Sequence, residues 1–341
     1  MIGVDKKRGK SKTAEALHKA EAGKGNCLTG SGKKELLTDR LVIYERRQNL
    51  SSDNLRMKAG SSGAPPQAVQ GVDHYENFPV ASFLCPPRLR PAVAAIYWFA
   101  RTADDIADEG DASAPERLAD LAAYRADLLA VASERSASTR WAGVFANLRP
   151  VIRQFNLPVN LLADLLSAFE QDVVKQRYAS DAELTDYCRR SANPVGRLLL
   201  HLYGVTDALS LEQSDSICSA LQLINFWQDL SIDIPRGRIY LPADAWQRHG
   251  VTEAQLLALD DTPDAINLIA SYARSAGATM LKGSQLPRQV PGRAGWELRL
   301  VVQGGLRILD KIEALGFNTL KTRPKLGRWD FVVMAWRALW M

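Results

Sequence analysis

From Pro91 onward, apolar residues recur at helical spacing almost everywhere, in Ala/Leu-rich segments punctuated by proline and glycine. No run of alternating β-branched residues interrupts them, so the pattern predicts an all-α chain. Helices are expected over Pro91–Glu109, 114–135, 158–178, 181–204, 210–234, 252–260, 262–284 and 293–315. The first opens on a proline, whose missing N–H would have no intrahelical partner there, and stops before Gly110, which can take the left-handed cap. The fifth is expected to open with Ser210 and Gln213 as a capping box and to end before Pro235. No internal repeat is seen.

Residues 1–70 break this pattern. They mix Lys, Gly, Ser and Gln with few aromatics and close on Gly60-Ser61-Ser62-Gly63-Ala64-Pro65-Pro66, a composition that cannot repay the entropy of folding. A mostly disordered N-terminal extension is expected over 1–70, one all-α domain over 71–320, and a tail or short helix over 321–341. Met57 stands just before the linker as an alternative start of translation.

Charge sharpens the division. Of 43 Lys/Arg and 38 Asp/Glu in the 341-residue chain, 14 and 7 fall in residues 1–60, leaving 29 basic against 31 acidic residues in the rest. The body is therefore near neutral, which argues against nucleic acid as a partner. Cys27, Cys85, Cys188 and Cys218 are far apart, with no CxxC pair and no histidine at ligand spacing, so neither a zinc site nor a disulfide framework is expected. Residues 1–25 lack the apolar core of a signal peptide. The strongly apolar stretch Phe331–Trp340 is too short to span a bilayer, although contact with a membrane surface stays open. A cytoplasmic protein is expected, with peripheral contact to the inner membrane left open.

Candidate chemistry sits on two of the predicted helices. On the first, Tyr97, Arg101, Asp104 and Asp108 follow one another at i, i+4, i+7 and i+11 and form one polar stripe on a helix otherwise made of Ala, Ile, Val, Trp and Phe. Taken alone, Asp104, Asp105, Asp108 and Glu109 could be a solvated acidic end paired with Arg101. The fifth helix changes that reading: Asn225, Asp229 and Asp233 recur at i, i+4 and i+8 beside Leu223, Ile224, Phe226, Trp227 and Leu230. Unpaired carboxylates are too costly in an apolar setting, so a cation between the two strips is the economical answer. Carboxylate and amide oxygens suit Mg²⁺ or Mn²⁺. Arg236-Gly237-Arg238-Ile239-Tyr240 follows directly, a basic loop able to hold a leaving diphosphate. No glycine-rich phosphate loop or NAD(P) fingerprint is present, and the four histidines form no triad spacing with Ser and Asp.

Asp104-Asp105-Ile106-Ala107-Asp108-Glu109 and Asn225 to Asp233 resemble the two aspartate-rich motifs of the squalene/phytoene synthase family, over about residues 73–320. Tyr97 to Arg101, Asp181 to Leu184 with Tyr187-Cys188, and Val195-Gly196 agree. Glu76 to Ser82, Ser191 to Gly196, and Arg323-Pro324-Lys325-Leu326-Gly327 leading to Trp336-Arg337 resemble one branch in particular, the hydroxysqualene synthases of bacterial hopanoid biosynthesis. Two positions depart from the wider family: Gln228 stands where many relatives carry arginine, and Asn193-Pro194 replaces a small-residue turn.

The resemblance implies a helical bundle around a central cavity and a prenyl diphosphate substrate, either presqualene or farnesyl diphosphate. It implies metal ligation by Asp104, Asp105, Asp108, Asn225, Asp229 and Asp233, and diphosphate binding by Ser82, Arg101, Arg236 and Arg238, with Tyr97 as a further donor. Tyr187, Tyr97 and Asn193 are candidate catalytic residues, Asn193 as holder of a water. Phe78, Phe83, Phe99 and Trp227, with Trp98 and Phe169, are candidates for an aromatic cavity wall that stabilises a carbocation. Neighbouring pathway enzymes are expected partners. The rival readings are another head-to-head synthase and a non-catalytic assembly factor, of which relatives are known.

Overall fold

A computed structural model describes residues 85–341. Phe78, Ser82, Phe83, the segment from Glu76, the expected extension over 1–70 and the candidate start at Met57 lie outside the described residues. Among the described residues there is no strand, only one isolated bridge between Arg177 and Ile239, and the chain is all-α.

Helix α1 (Arg90–Asp108) begins with Pro91 in its first turn and ends at Glu109, followed by Gly110 at φ +79°. Its buried line, Ala92, Ile96, Phe99, Ala103 and Ala107, keeps helical spacing. α2 (Ala114–Ala132) is opened by a capping box in which Ser113 N–H and Oγ–H both donate to Glu116, at 2.8 and 2.6 Å. α3 (Ala142–Phe155) was not expected. It carries Pro150 in its interior, which removes one backbone donor, yet Phe145, Leu148, Val151 and Ile152 form an apolar face that packs on α1 and outweighs the loss. α4 (Val159–Val174) ends four residues short of its predicted limit.

Two predicted helices are each broken in two. The span 181–204 divides into α5 (Asp181–Ser191) and α6 (Asn193–Tyr203) at Ala192, because Pro194 has no N–H to carry the ladder across. The span 210–234 divides into α7 (Ala208–Gln228) and the short turn α8 (Leu230–Asp233) at Asp229, φ −102° and ψ 12°. α7 also starts earlier than expected: Asp207, not Ser210, is the cap, its carboxylate accepting from Ser210 N–H at 2.9 Å. There follow α9 (Ala243–Arg248), α10 (Glu253–Leu257), α11 (Pro263–Lys282), α12 (Leu286–Gln289), α13 (Arg293–Ala314) and α14 (Arg328–Trp340).

The core has two parts. α1 to α4 enclose Phe99, Tyr124, Phe145 and Leu162. α7 is the axis of the second, packed against α5, α6, α11 and α13 around Ile217, Ala220, Ile224 and Trp227. α6 lies unusually close to α7 because Gly196 has no side chain: a Cβ there would sit 2.6 Å from Cys218 Sγ and closer still to Ser214 Oγ. Among the described residues no helix is long and apolar enough to cross a membrane, and Cys85, Cys188 and Cys218 are free thiols.

Candidate active site

The acidic stripe of α1 is folded onto its own arginine. Arg101 lies 2.7 Å from Asp105, 3.3 Å from Asp104 and 2.8 Å from Glu109. Burial lifts the Asp105 carboxyl above its usual range against the pull of Arg101. Asp108, one turn on, points elsewhere. It accepts a bidentate pair from Arg238, with one contact at 3.0 Å, and so joins the end of α1 to the loop after α8.

The second motif carries the mirror arrangement. Asp229 accepts from Arg323 Nε at 2.5 Å and from Nη2 at 3.0 Å, an arginine brought from the segment before α14. Gln228 tethers that same segment: its Nε2 donates to Pro324 O at 2.8 Å. Asp233, on the separate turn, is pushed up to about 6, first by burial and then by the charge of Asp229, against Arg238, Arg236 and Arg323. The two acid-bearing strips therefore share one cleft rimmed by arginines.

Sequence reasoning passed over a buried carboxylate beside these groups. Asp172, near the end of α4, accepts from Tyr187 Oη–H at 2.9 Å. Burial pushes its carboxyl up to about 7, against Tyr187 and Arg238, with Asp108 and Asp104 close enough to add to the rise. Tyr187 belongs to an aromatic cluster: its ring centroid is 5.6 Å from Tyr178 and 6.1 Å from Phe226, and Phe226 stacks on Tyr240 at 3.6 Å with 8° between planes. Burial drives the Tyr178, Tyr187 and Tyr240 phenols well above their ordinary range, so all three stay protonated.

Several aromatics expected in the cavity wall are placed elsewhere. Phe99 faces away from the stripe, stacked on Tyr124 at 5.2 Å and edge-on to Phe145 between α1, α2 and α3. Trp227 is fully buried on the opposite side of α7, edge-on to Tyr272 of α11 at 5.2 Å. Trp98 is 40% exposed, and Phe169 packs against the first core. Phe226, Tyr240 and Tyr178 take their place beside the carboxylates. Tyr97 is buried on the stripe, edge-on to Trp98. Asn193 is buried at the start of α6, and its Oδ1 accepts from Ser219 Oγ–H of α7 at 2.8 Å.

Among the described residues no three acidic, histidine or cysteine side chains converge at metal-ligand spacing, because Asp108 and Asp229 are turned onto Arg238 and Arg323. The chemistry nonetheless fits. Burial lifts both Asp172 and Asp233 above the usual carboxylate range, so a cation beside them would offset the cost of ionising them, and their oxygen donors suit Mg²⁺ or Mn²⁺.

An all-α bundle that gathers two acidic motifs, arginines and tyrosines fits an enzyme of the prenyl diphosphate synthase class. The chain belongs to one family of that class, squalene/phytoene synthase, whose model matches residues 72–330. A hydroxysqualene synthase from Sinorhizobium fredii is 34% identical over 78% of this chain and 86% of its own length. One from Rhodopseudomonas palustris is 31% identical over 77% of this chain and 88% of its own. The crystal structure of a squalene synthase from Alicyclobacillus acidocaldarius matches with a TM-score of 0.67 at 36% identity, covering 72% of this chain and 90% of that one.

Proposed function

We propose that this protein converts presqualene diphosphate to hydroxysqualene, releasing diphosphate and capturing water. The observation that carries the reading is the pair of bidentate contacts Asp108–Arg238 and Asp229–Arg323, which bring both acidic motifs and two guanidinium groups to one cleft beside the Tyr187–Phe226–Tyr240 wall. The choice of product rests on the two relatives that bear that name.

In this reading Asp104, Asp105, Asp108, Asn225, Asp229 and Asp233 would hold Mg²⁺ or Mn²⁺, which when bound neutralises the diphosphate as a leaving group. Arg101, Arg236 and Arg238 donate to the phosphate oxygens, with Ser82 and Tyr97 as further donors, and Arg238 exchanges its carboxylate partner for phosphate. The C–O bond breaks with its electron pair leaving on the diphosphate. The electron-rich rings of the Tyr187–Phe226–Tyr240 cluster stabilise the resulting cation without attacking it. Asn193 orients a water, and Asp172, the carboxylate hydrogen-bonded to the aromatic wall, accepts the proton that water loses on adding to the carbon.

The test is incubation of the purified protein with presqualene diphosphate and Mg²⁺, without NADPH, with products read by mass spectrometry. Hydroxysqualene is expected; turnover of farnesyl diphosphate but not of presqualene diphosphate would overturn the reading. The likeness to a squalene synthase favours a second reading in which hydride replaces water, and product formation that depends on NADPH would select it. The protein is proposed to work in the cytoplasm alongside neighbouring pathway enzymes.

A further inference from the structure

Helix α14 turns an apolar face outward and is not free to turn it in. Its inner line is Asp330, Met334 and Ala338, all buried. Asp330 accepts from Arg307 at 2.7 Å and from Gly327 N–H at 2.6 Å, and pairs with Lys311 at 2.9 Å. Those partners hold its carboxyl down at about 2 and fix the rotation of the helix on α13.

At 100° per residue, the outward half of the circumference then carries Ala335, Leu339, Val332, Trp336, Trp329, Trp340 and Val333, with Arg328 as its only polar member. Trp329 is 82% exposed and Trp340 72%. A solvent-facing helix ordinarily places charged and polar residues there. The patch continues past α14: Leu281 and Leu306 join Trp336, Trp340 and Met341 around a recess of about 400 Å³. Trp296 of α13 is also exposed, with Arg299 stacked on it at 4.5 Å.

Charge selects the occupant. The outward arc holds no acidic residue, and exposed Lys325 and Arg328 stand at its leading end. Asp310, on the neighbouring α13, is already closed on Arg307 and Arg337. A second copy packed parallel on this face would set the basic end against itself, and an antiparallel one would set Lys325 and Arg328 against tryptophans with no acidic partner. An anionic lipid surface answers both properties, because tryptophan rings favour the level of the headgroups and Lys/Arg favour anionic ones. A helix of 13 residues is about 20 Å long, enough to lie in the interface but not to cross the bilayer. We infer that the outward face of α14 seats this protein on an anionic membrane surface, with Trp329, Trp336 and Trp340 entering the headgroup layer. The inference does not depend on which diphosphate is the substrate.

The test is flotation of the full chain with vesicles of phosphatidylcholine alone and of phosphatidylcholine mixed with phosphatidylglycerol. Wild type is expected to float with the mixed vesicles and weakly with the neutral ones. The triple variant Trp329→Ser/Trp336→Ser/Trp340→Ser should lose about a hundredfold or more in affinity. Arg328→Glu, which disturbs no buried contact, should lose about tenfold on mixed vesicles only. Circular dichroism and an unchanged melting temperature for Arg328→Glu guard against misfolding. Equal binding of wild type and both variants would overturn the inference, as would equal binding of wild type to neutral and mixed vesicles. So would a concentration-dependent dimer, dissolved by the triple variant, in protein that ignores vesicles.

Discussion

Asp172→Asn isolates the energetic consequence of holding a carboxylate against the aromatic cluster. Its carboxyl rises from 3.8 to about 7 on folding, with burial the foremost cause. Each unit corresponds to about 1.4 kcal/mol, so full ionisation works against the fold by about 4 kcal/mol. The sign follows from linkage: a carboxyl whose folded pKa is raised is no burden below its unfolded pKa, and the burden grows as pH climbs to the folded one. The contribution of Asp172 to stability should therefore fall between about pH 4 and pH 7. Asparagine keeps an oxygen for Tyr187 Oη–H and removes the titration. The advantage of the variant over wild type should grow by about 2–3 kcal/mol between pH 5 and pH 8, read by urea unfolding of metal-free protein at both pH values. Asp233 titrates alike in the two proteins and cancels. A stability difference that does not change with pH would refute the reasoning.

Asp104→Ala and Asp229→Ala should each reduce metal-dependent turnover by about a thousandfold or more, and a chelator should do the same to wild type; full activity in either variant would contradict the assignment of these carboxylates. Gly196→Ala should destabilise by about 1–3 kcal/mol through overpacking against Ser214 and Cys218, measured by urea unfolding. Gln228→Leu removes the donor to Pro324 O, and hydrogen exchange should speed up at the amides of Lys325 to Gly327 while the protection of α7 is unchanged.

Much of this arrangement was legible in the sequence, and what was not has identifiable causes. α1 could be read whole, since Pro91 and Gly110 mark its ends and its polar stripe is uninterrupted. α3 was hidden by Pro150, a residue that normally argues against a helix and is outvoted here by Phe145, Leu148 and Val151. Pro194 was readable as a break and was passed over. The bend at Asp229 left no proline or glycine to announce it. Phe99 and Trp227 could have been excluded from the cleft by spacing alone: each stands two residues, or about 200° of helix, from a polar residue of the site, Arg101 in one case and Asn225 and Asp229 in the other. Asp172 was legible too, because it falls between Leu165 and Ala168 on the buried side of α4. Arg323 was not, since nothing local links it to Asp229, 94 residues away; only the docking of the segment before α14 does.

The most direct test of the central claim is turnover of presqualene diphosphate in isotopically labelled water. If the cleft ionises the substrate and admits one water beside Asp172 and Asn193, hydroxysqualene should carry a single heavy oxygen in its hydroxyl group while the released diphosphate stays unlabelled. Heavy oxygen in the diphosphate, or an alcohol that keeps the substrate's own oxygen, would contradict cleavage of the C–O bond and with it the proposed reaction.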